Sequence, residues 1–149
     1  MRILRKIFDF YLDSSIHVAL SCFSLVQITQ LYFNIPKDLL IANFAFFGTI
    51  ASYNFVKYES FVRTKKDQIR KKFKAIFVLF LLSLIVAVLC FFQLERISQI
   101  ISIVFLILTL LYALPFFPNK KNARNWAGIK IYIVALSWVG VTVALPVLN

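Results

Sequence analysis

Three polar side chains close the second long apolar segment of the chain. Asn54, Lys57 and Tyr58 fall within GTIASYNFVKYE, residues 48–59, just before a densely basic stretch. A second group, Tyr112 with Lys120 and Lys121, follows the fourth apolar segment. Amide, phenol and ammonium groups at a membrane boundary can donate hydrogen bonds and positive charge to a lipid head group. Asn54, Lys57, Tyr112, Lys120 and Lys121 are therefore the candidate substrate-binding residues, and no catalytic residue is assigned. Each also has a plainer reading. Asn54 can bond across helices, the lysines can mark topology, and Tyr53, Tyr58, Tyr112 and Trp126 can form an interfacial aromatic belt.

Metal chemistry is not expected from the remaining polar residues. One His and two Cys, without a Cys-x-x-Cys spacing, do not make a zinc site. Cys22 and Cys90 both lie inside apolar segments and are expected to be buried free thiols. His17 is read as an interhelical packing residue near the head groups, with a ligand or catalytic role as the alternative.

The elements that position these residues are set by apolar run length. The 149 residues are 61% hydrophobic with 17 Phe, and the mean hydropathy is +0.84. A soluble domain of this size needs far more polar surface. Several runs approach about twenty residues, which at 1.5 Å per residue gives about 30 Å, the thickness of a hydrocarbon core. The expected fold is all-α: a polytopic integral membrane bundle of about five transmembrane helices. Residues 1–13 place Ile3, Leu4, Ile7, Phe8, Tyr11 and Leu12 opposite Arg2, Arg5, Lys6, Asp9 and Asp13, the pattern of an interfacial amphipathic helix. Asp9 and Asp13 also exclude a signal-peptide reading of this stretch. Residues 14–149 form the transmembrane bundle, with spans at about 14–33, 39–58, 75–92, 100–117 and 129–147.

Within the spans the polar residues suggest faces. His17, Ser21 and Ser24 lie within about 60° of one another on span one, so that stripe is expected to face other helices or a wet cavity. On span two, Ala45, Gly48, Thr49 and Ser52 form a small-residue side suited to close helix approach. Asn43 and Asn54 return to within about 20° of one direction, with Ile50 and Lys57, which marks span two as the central helix. Span three has no polar stripe beyond Ser83 and is expected to face lipid. Residues 34–38 and 93–99 are expected to be short turns, and residues 59–74 a basic cytoplasmic loop with room for a short interfacial helix. Pro115 and Pro118 end span four, Trp126 anchors the loop after it, and Ser137, Gly140 and Thr142 supply packing positions in span five.

The charge agrees with this layout. The net charge is +11, and 15 of the 17 Lys and Arg fall in residues 2–6, 57–74 and 120–130, while the two short turns hold only Lys37 and Arg96. That is a positive-inside pattern with the amino terminus cytoplasmic, as in a bacterial inner membrane. The implied partner of the charge is a bilayer with anionic head groups; no nucleic-acid-binding motif accompanies it. A charge at mid-bilayer costs on the order of 3 kcal/mol, and none is placed there, which argues against an ion or proton pathway.

This arrangement resembles the amino-terminal half of the UbiA superfamily of membrane prenyltransferases. The likeness lies in a polar first span, a second span ending in an Asn-bearing motif, a basic loop, and a tight turn between spans three and four. It extends to LYALPFFPNKKNARNWAGIKIYIVALSWVG, residues 111–140, where Tyr112, Pro115, Lys120, Lys121 and Gly128 sit at matching places. The resemblance implies a UbiA-like bundle that binds a prenyl diphosphate or another lipid. The family transfers a polyprenyl chain using Mg²⁺ held by aspartate-rich motifs. The first, Asn-Asp-x-x-Asp-x-x-x-Asp, falls with its Asn on Asn54 and its aspartates on Phe55, Tyr58 and Val62. None of these three can hold a metal, and the second motif is absent. The implied protein is a half-length or degenerate relative, without Mg-dependent prenyl transfer and with no cofactor; Mg²⁺ would be expected only with the motif intact. The competing expectation is a non-catalytic membrane scaffold or subunit that pairs with other membrane helices.

Overall fold

The computed structural model describes residues 2–64, 71–114 and 128–149. The elements are α1 (Arg2–Asp13), α2 (Ile16–Tyr32), α3 (Leu39–Thr64), α4 (Lys71–Phe91), α5 (Arg96–Ala113) and α6 (Ile129–Val139). A π-helical turn (Gly140–Ala144) and a short α7 (Leu145–Leu148) complete the last segment. There is no strand among the described residues. Among the described residues four helices are long and apolar enough to cross a membrane, and five if the bent pair α1–α2 counts as one span.

Several boundaries differ from the sequence reading. The 26-residue α3 runs on to Thr64 and α4 begins at Lys71, so both ends of the expected basic loop are helical. Residues 59–64 and 71–74 contain no Gly or Pro, and their Glu, Arg and Lys are good helix formers, which lets α3 run past Glu59 and α4 start before Ala75. The expected turn at 93–99 contracts to 92–95, with α5 starting at Arg96. Gln99 makes this compact turn possible: its Nε2 donates to the Phe91 carbonyl at 3.0 Å and satisfies the end of α4. Pro115, Pro118 and Trp126 lie outside the described residues.

The core joins α2 to α3. Cys22 and Val26 of α2 pack with Ile41, Ala42 and Ala45 of α3, and Leu94 and Leu145 close the cluster. Helix α3 touches α2, α4, α5 and α7, as a central helix should. Against α4 it pairs Phe44 with Phe91 (ring centroids 6.5 Å apart) and Tyr58 with Phe73 (5.3 Å). Helix α4 buries Ile76, Ser83 and Ala87 along that one side, a spacing that returns to one face. Its other faces expose Phe77, Leu82, Ile85 and Leu89, an apolar surface left open on all but the α3 side.

Two expectations about faces are corrected. Ser21 and Ser24 of α2 are exposed rather than turned toward helices or a cavity. Their hydroxyls donate to the His17 and Leu20 carbonyls of their own helix at 3.0 and 2.9 Å. This internal bonding removes the cost that was expected to drive them inward. On α3, Ala45 is buried, but a methyl added at Gly48 would meet no heavy atom within 4 Å, so no helix approaches closely there. The close-packed glycine is Gly140, where an added Cβ would collide with the Phe105 ring. Gly140 opens the π turn, which ends just ahead of Pro146. In a regular α-helix the Pro146 ring would press on the Thr142 carbonyl, and a widened turn avoids that contact.

Candidate functional site

The Asn54 end of the bundle is built around a broken helix. Ser14 and Ser15 separate α1 from α2, Ser15 adopts a left-handed conformation at φ 61°, and the two helices bend by 60°. A break of this kind leaves the last carbonyls of α1 without helical partners. Three residues of α3 supply donors. Asn54 Nδ2 donates to the Ser14 carbonyl at 2.8 Å, Lys57 Nζ to the Asp13 carbonyl at 3.0 Å, and the Tyr58 hydroxyl to the same Asp13 carbonyl at 2.8 Å. Ser15 Oγ donates in turn to Asn54 Oδ1 at 3.4 Å. Positions 54, 57 and 58 are three and four residues apart, so they share one helix face. The lysine charge also suits the negative end of the α1 dipole, and its Nζ stands 5.4 Å from the Tyr58 ring centroid. Asn54 is only 3% exposed, which puts it inside the joint and out of reach of a ligand.

Beside this clamp lies a cavity of about 410 Å³, whose wall includes Ser15, His17, Tyr53, Lys57, Tyr112 and Trp138. His17 tilts against Tyr11 (centroids 5.8 Å apart), and its Nδ1 is buried with no hydrogen-bond partner among the described residues. The ring stands at the cavity wall. A second, larger cavity of about 590 Å³ is almost wholly apolar, walled by Phe44, Phe55, Phe80, Phe91 and Phe105 together with aliphatic side chains. Ser52, Thr109 and Ser137 line both cavities, so the two adjoin at these side chains. The hydroxyls of Thr109 and Ser137 donate to the Phe105 and Ile133 carbonyls of their own helices at 2.8 Å each.

Of the five candidate residues, then, Lys57 and Tyr112 line the same cavity. Asn54 stands behind the cavity wall as part of the clamp, and Lys120 and Lys121 lie outside the described residues. Trp138 and the aromatic wall of the larger cavity were not singled out from sequence. The signal for the aromatic wall is a high Phe content spread over α1 to α5, which periodicity alone cannot separate from lipid-facing surface. Tyr58 was read as a belt residue; its hydroxyl turns out to cap α1. Among the described residues no group of three or more His, Cys, Asp or Glu is arranged to hold a metal ion. Cys22 is buried and Cys90 half-buried, both as free thiols.

The opposite end is stitched differently. Asp38 Oδ1 accepts from the backbone N–H of Leu40 at 2.7 Å and of Ile41 at 3.4 Å, capping α3. Its Oδ2 accepts from Asn149 Nδ2 at 2.8 Å, and its carbonyl accepts from Gln30 Nε2 at 3.1 Å. Asn149 Oδ1 then accepts from the Glu95 N–H at 3.1 Å. The α2–α3 turn, the α4–α5 turn and the residue after α7 are thereby tied together. A scan against protein-family models, a search of curated proteins and a search of solved structures each return no match for this chain.

Proposed function

We propose that this chain is a multi-pass membrane protein that binds an amphiphile with an anionic head, a prenyl diphosphate or a related lipid, without using a metal. The observation that carries the reading is the meeting of two unlike cavities. The smaller is lined by an ammonium, an imidazole and a phenol from Lys57, His17 and Tyr112. The larger is lined by phenylalanines over a volume of about 590 Å³, within the size range of pockets that enclose small ligands. A head group in the first and a chain in the second would satisfy both. The likeness to the amino-terminal half of the UbiA prenyltransferases supports the isoprenoid as the chain. The replacement of the metal-binding aspartates by Phe55, Tyr58 and Val62 supports binding without Mg-dependent transfer. The Asn54 end carries Lys57 and the basic segments around it, so by the positive-inside rule it faces the cytoplasm.

The test is native mass spectrometry of the purified protein with farnesyl diphosphate and with the neutral alcohol farnesol. The diphosphate should remain bound at concentrations where the alcohol does not, and Lys57→Met should remove that preference. Equal retention of both compounds, or a preference that survives Lys57→Met, would sink the head-group assignment. Prenyl transfer to an aromatic acceptor on addition of Mg²⁺ would overturn the non-catalytic part. The scaffold reading is favoured by α5, of whose apolar window only 11% is buried. It would take over if neither ligand binds.

A further inference from the structure

We infer that α1 is a docking helix for the surface of an anionic bilayer, held by the Asn54–Lys57–Tyr58 clamp at an angle fixed to α2. This inference does not depend on what the cavities hold. At 100° per residue, Arg5, Lys6 and Asp9 of α1 fall on one face, and Ile3, Leu4, Ile7 and Phe8 on the opposite one. Nothing among the described residues covers the apolar face: Ile3 and Leu4 are each 74% exposed, Ile7 63% and Phe8 58%. Four neighbouring large apolar side chains left open on a short helix need an apolar phase to enter.

The geometry selects the bilayer as that phase. The 17 residues of α2 rise about 26 Å, a few ångströms less than the roughly 30 Å hydrocarbon core. The joint at Ser14 and Ser15 therefore reaches the boundary between acyl chains and head groups, the depth at which interfacial helices lie. The 60° bend would leave α1 about 30° out of the membrane plane if α2 stood upright. A tilt of α2 inside the common range of roughly 0–40° lays α1 flat. In that pose Ile3, Leu4, Ile7 and Phe8 enter the acyl region while Arg5 and Lys6 meet the head groups. The exposed Lys57 and Lys74 belong to the same end of the bundle, so the charge of the surface it faces should be negative. The clamp gives this docking a structural consequence. Ser15, His17 and Lys57, which follow or bind the end of α1, all line the smaller cavity, so the seating of α1 sets the mouth of that cavity.

Nitroxide labels on four single-cysteine additions test the idea: Leu4→Cys and Phe8→Cys on the apolar face, Arg5→Cys and Asp9→Cys on the polar face. Each protein is placed in nanodiscs of phosphatidylcholine and phosphatidylglycerol, with wild type, whose two thiols lie within membrane helices, as the labelling blank. Collision with dissolved oxygen, which partitions into lipid, is compared with collision with a water-soluble nickel chelate. Positions 4 and 8 should show an oxygen-to-nickel ratio several-fold above positions 5 and 9. Nickel access to all four positions would place α1 in water and overturn the proposal. Protection of positions 4 and 8 from both reagents would also overturn it, because the apolar face would then be covered by protein, a second copy of this chain included.

Discussion

The two ends of the bundle solve the same problem with opposite results. At the Asn149 end, Asp38, Gln30 and Asn149 tie the α2–α3 turn, the α4–α5 turn and the residue after α7 into one hydrogen-bonded knot. The turns there are short, and side chains reach from one to the next. At the Asn54 end, the polar contacts gather α3 only onto the α1–α2 joint. A cavity of about 410 Å³ opens between that joint and α5 and α6, with Lys57 and Tyr112 on its wall. One end is cross-braced; the other is braced on one side and left open on the other. Binding sites in helical bundles need such asymmetry, because a site must be both held in shape and accessible.

The largest effect should come from swapping the space around the two glycines that mark these regimes. Gly140→Leu forces a side chain into the Phe105 ring and should cost about 1–3 kcal/mol, as overpacking does, read as a lower midpoint of unfolding in mixed micelles. Gly48→Leu enters the open cavity, where an added Cβ meets nothing within 4 Å. Stability should be nearly unchanged while binding of the diphosphate amphiphile weakens. If Gly48→Leu destabilised as much as Gly140→Leu, the cavity would not be open space and the contrast would fail.

Next in size is the loss of the buried amide. Asn54→Leu leaves the Ser14 carbonyl and the Ser15 hydroxyl without their partner, at a cost of about 1–2 kcal/mol for a hydrogen-bonded polar group in a membrane interior. Asp38→Ala removes the cap of α3 and the acceptor for Asn149, also about 1 kcal/mol. The two losses should differ in kind. Faster hydrogen exchange should be confined to the first turn of α3, at Leu40 and Ile41, in Asp38→Ala. It should appear at the end of α1 and the start of α2 in Asn54→Leu. Only Asn54→Leu should also loosen ligand binding, since Ser15 and His17 stand on the cavity wall. Equal effects of both on binding would show that the ends are coupled through the whole bundle.

These contrasts also mark what the sequence made legible. The all-α membrane character and the central place of α3 follow from apolar run length and from the distribution of Asn and small residues, and the structure agrees. The amphipathic α1 was readable because its two faces separate cleanly at helical period. The break after it was announced only by two serines, and its left-handed Ser15 was not foreseeable from residue type. Ser21 and Ser24 misled because a hydroxyl on a helix can satisfy itself on the preceding turn, so polarity alone does not fix which way a face points. The knot at the Asn149 end links residues 111 positions apart in sequence, and no local pattern announces such a pairing. Lys57 and Tyr112, singled out as candidate substrate-binding residues by their depth at the ends of spans, line the smaller cavity. Asn54 was singled out by the same reasoning, yet it binds backbone, because depth does not distinguish a side chain facing a cavity from one facing a helix end.

The smallest effects separate the two ends most sharply, because they concern coupling rather than magnitude. Lys57 and Tyr58 both donate to the Asp13 carbonyl. Removing either one leaves the acceptor satisfied, so Lys57→Met and Tyr58→Phe should each cost only about 0.5 kcal/mol, near the average for interhelical bonds in membranes. Removing both leaves the carbonyl with neither donor, and the double variant should cost more than the two singles together. Asn54→Ala combined with Asn149→Ala should instead add to within about 0.5 kcal/mol, since the two residues share no partner and sit at opposite ends of the bundle. The measurement is a pair of double-mutant cycles by unfolding in mixed micelles. A strictly additive Lys57–Tyr58 cycle would mean that the two donors do not compete for one carbonyl, and the clamp would have to be redrawn as two independent contacts. A strongly coupled Asn54–Asn149 cycle would mean that the braced and open ends respond as one unit, and the distinction between them would lose its mechanical content.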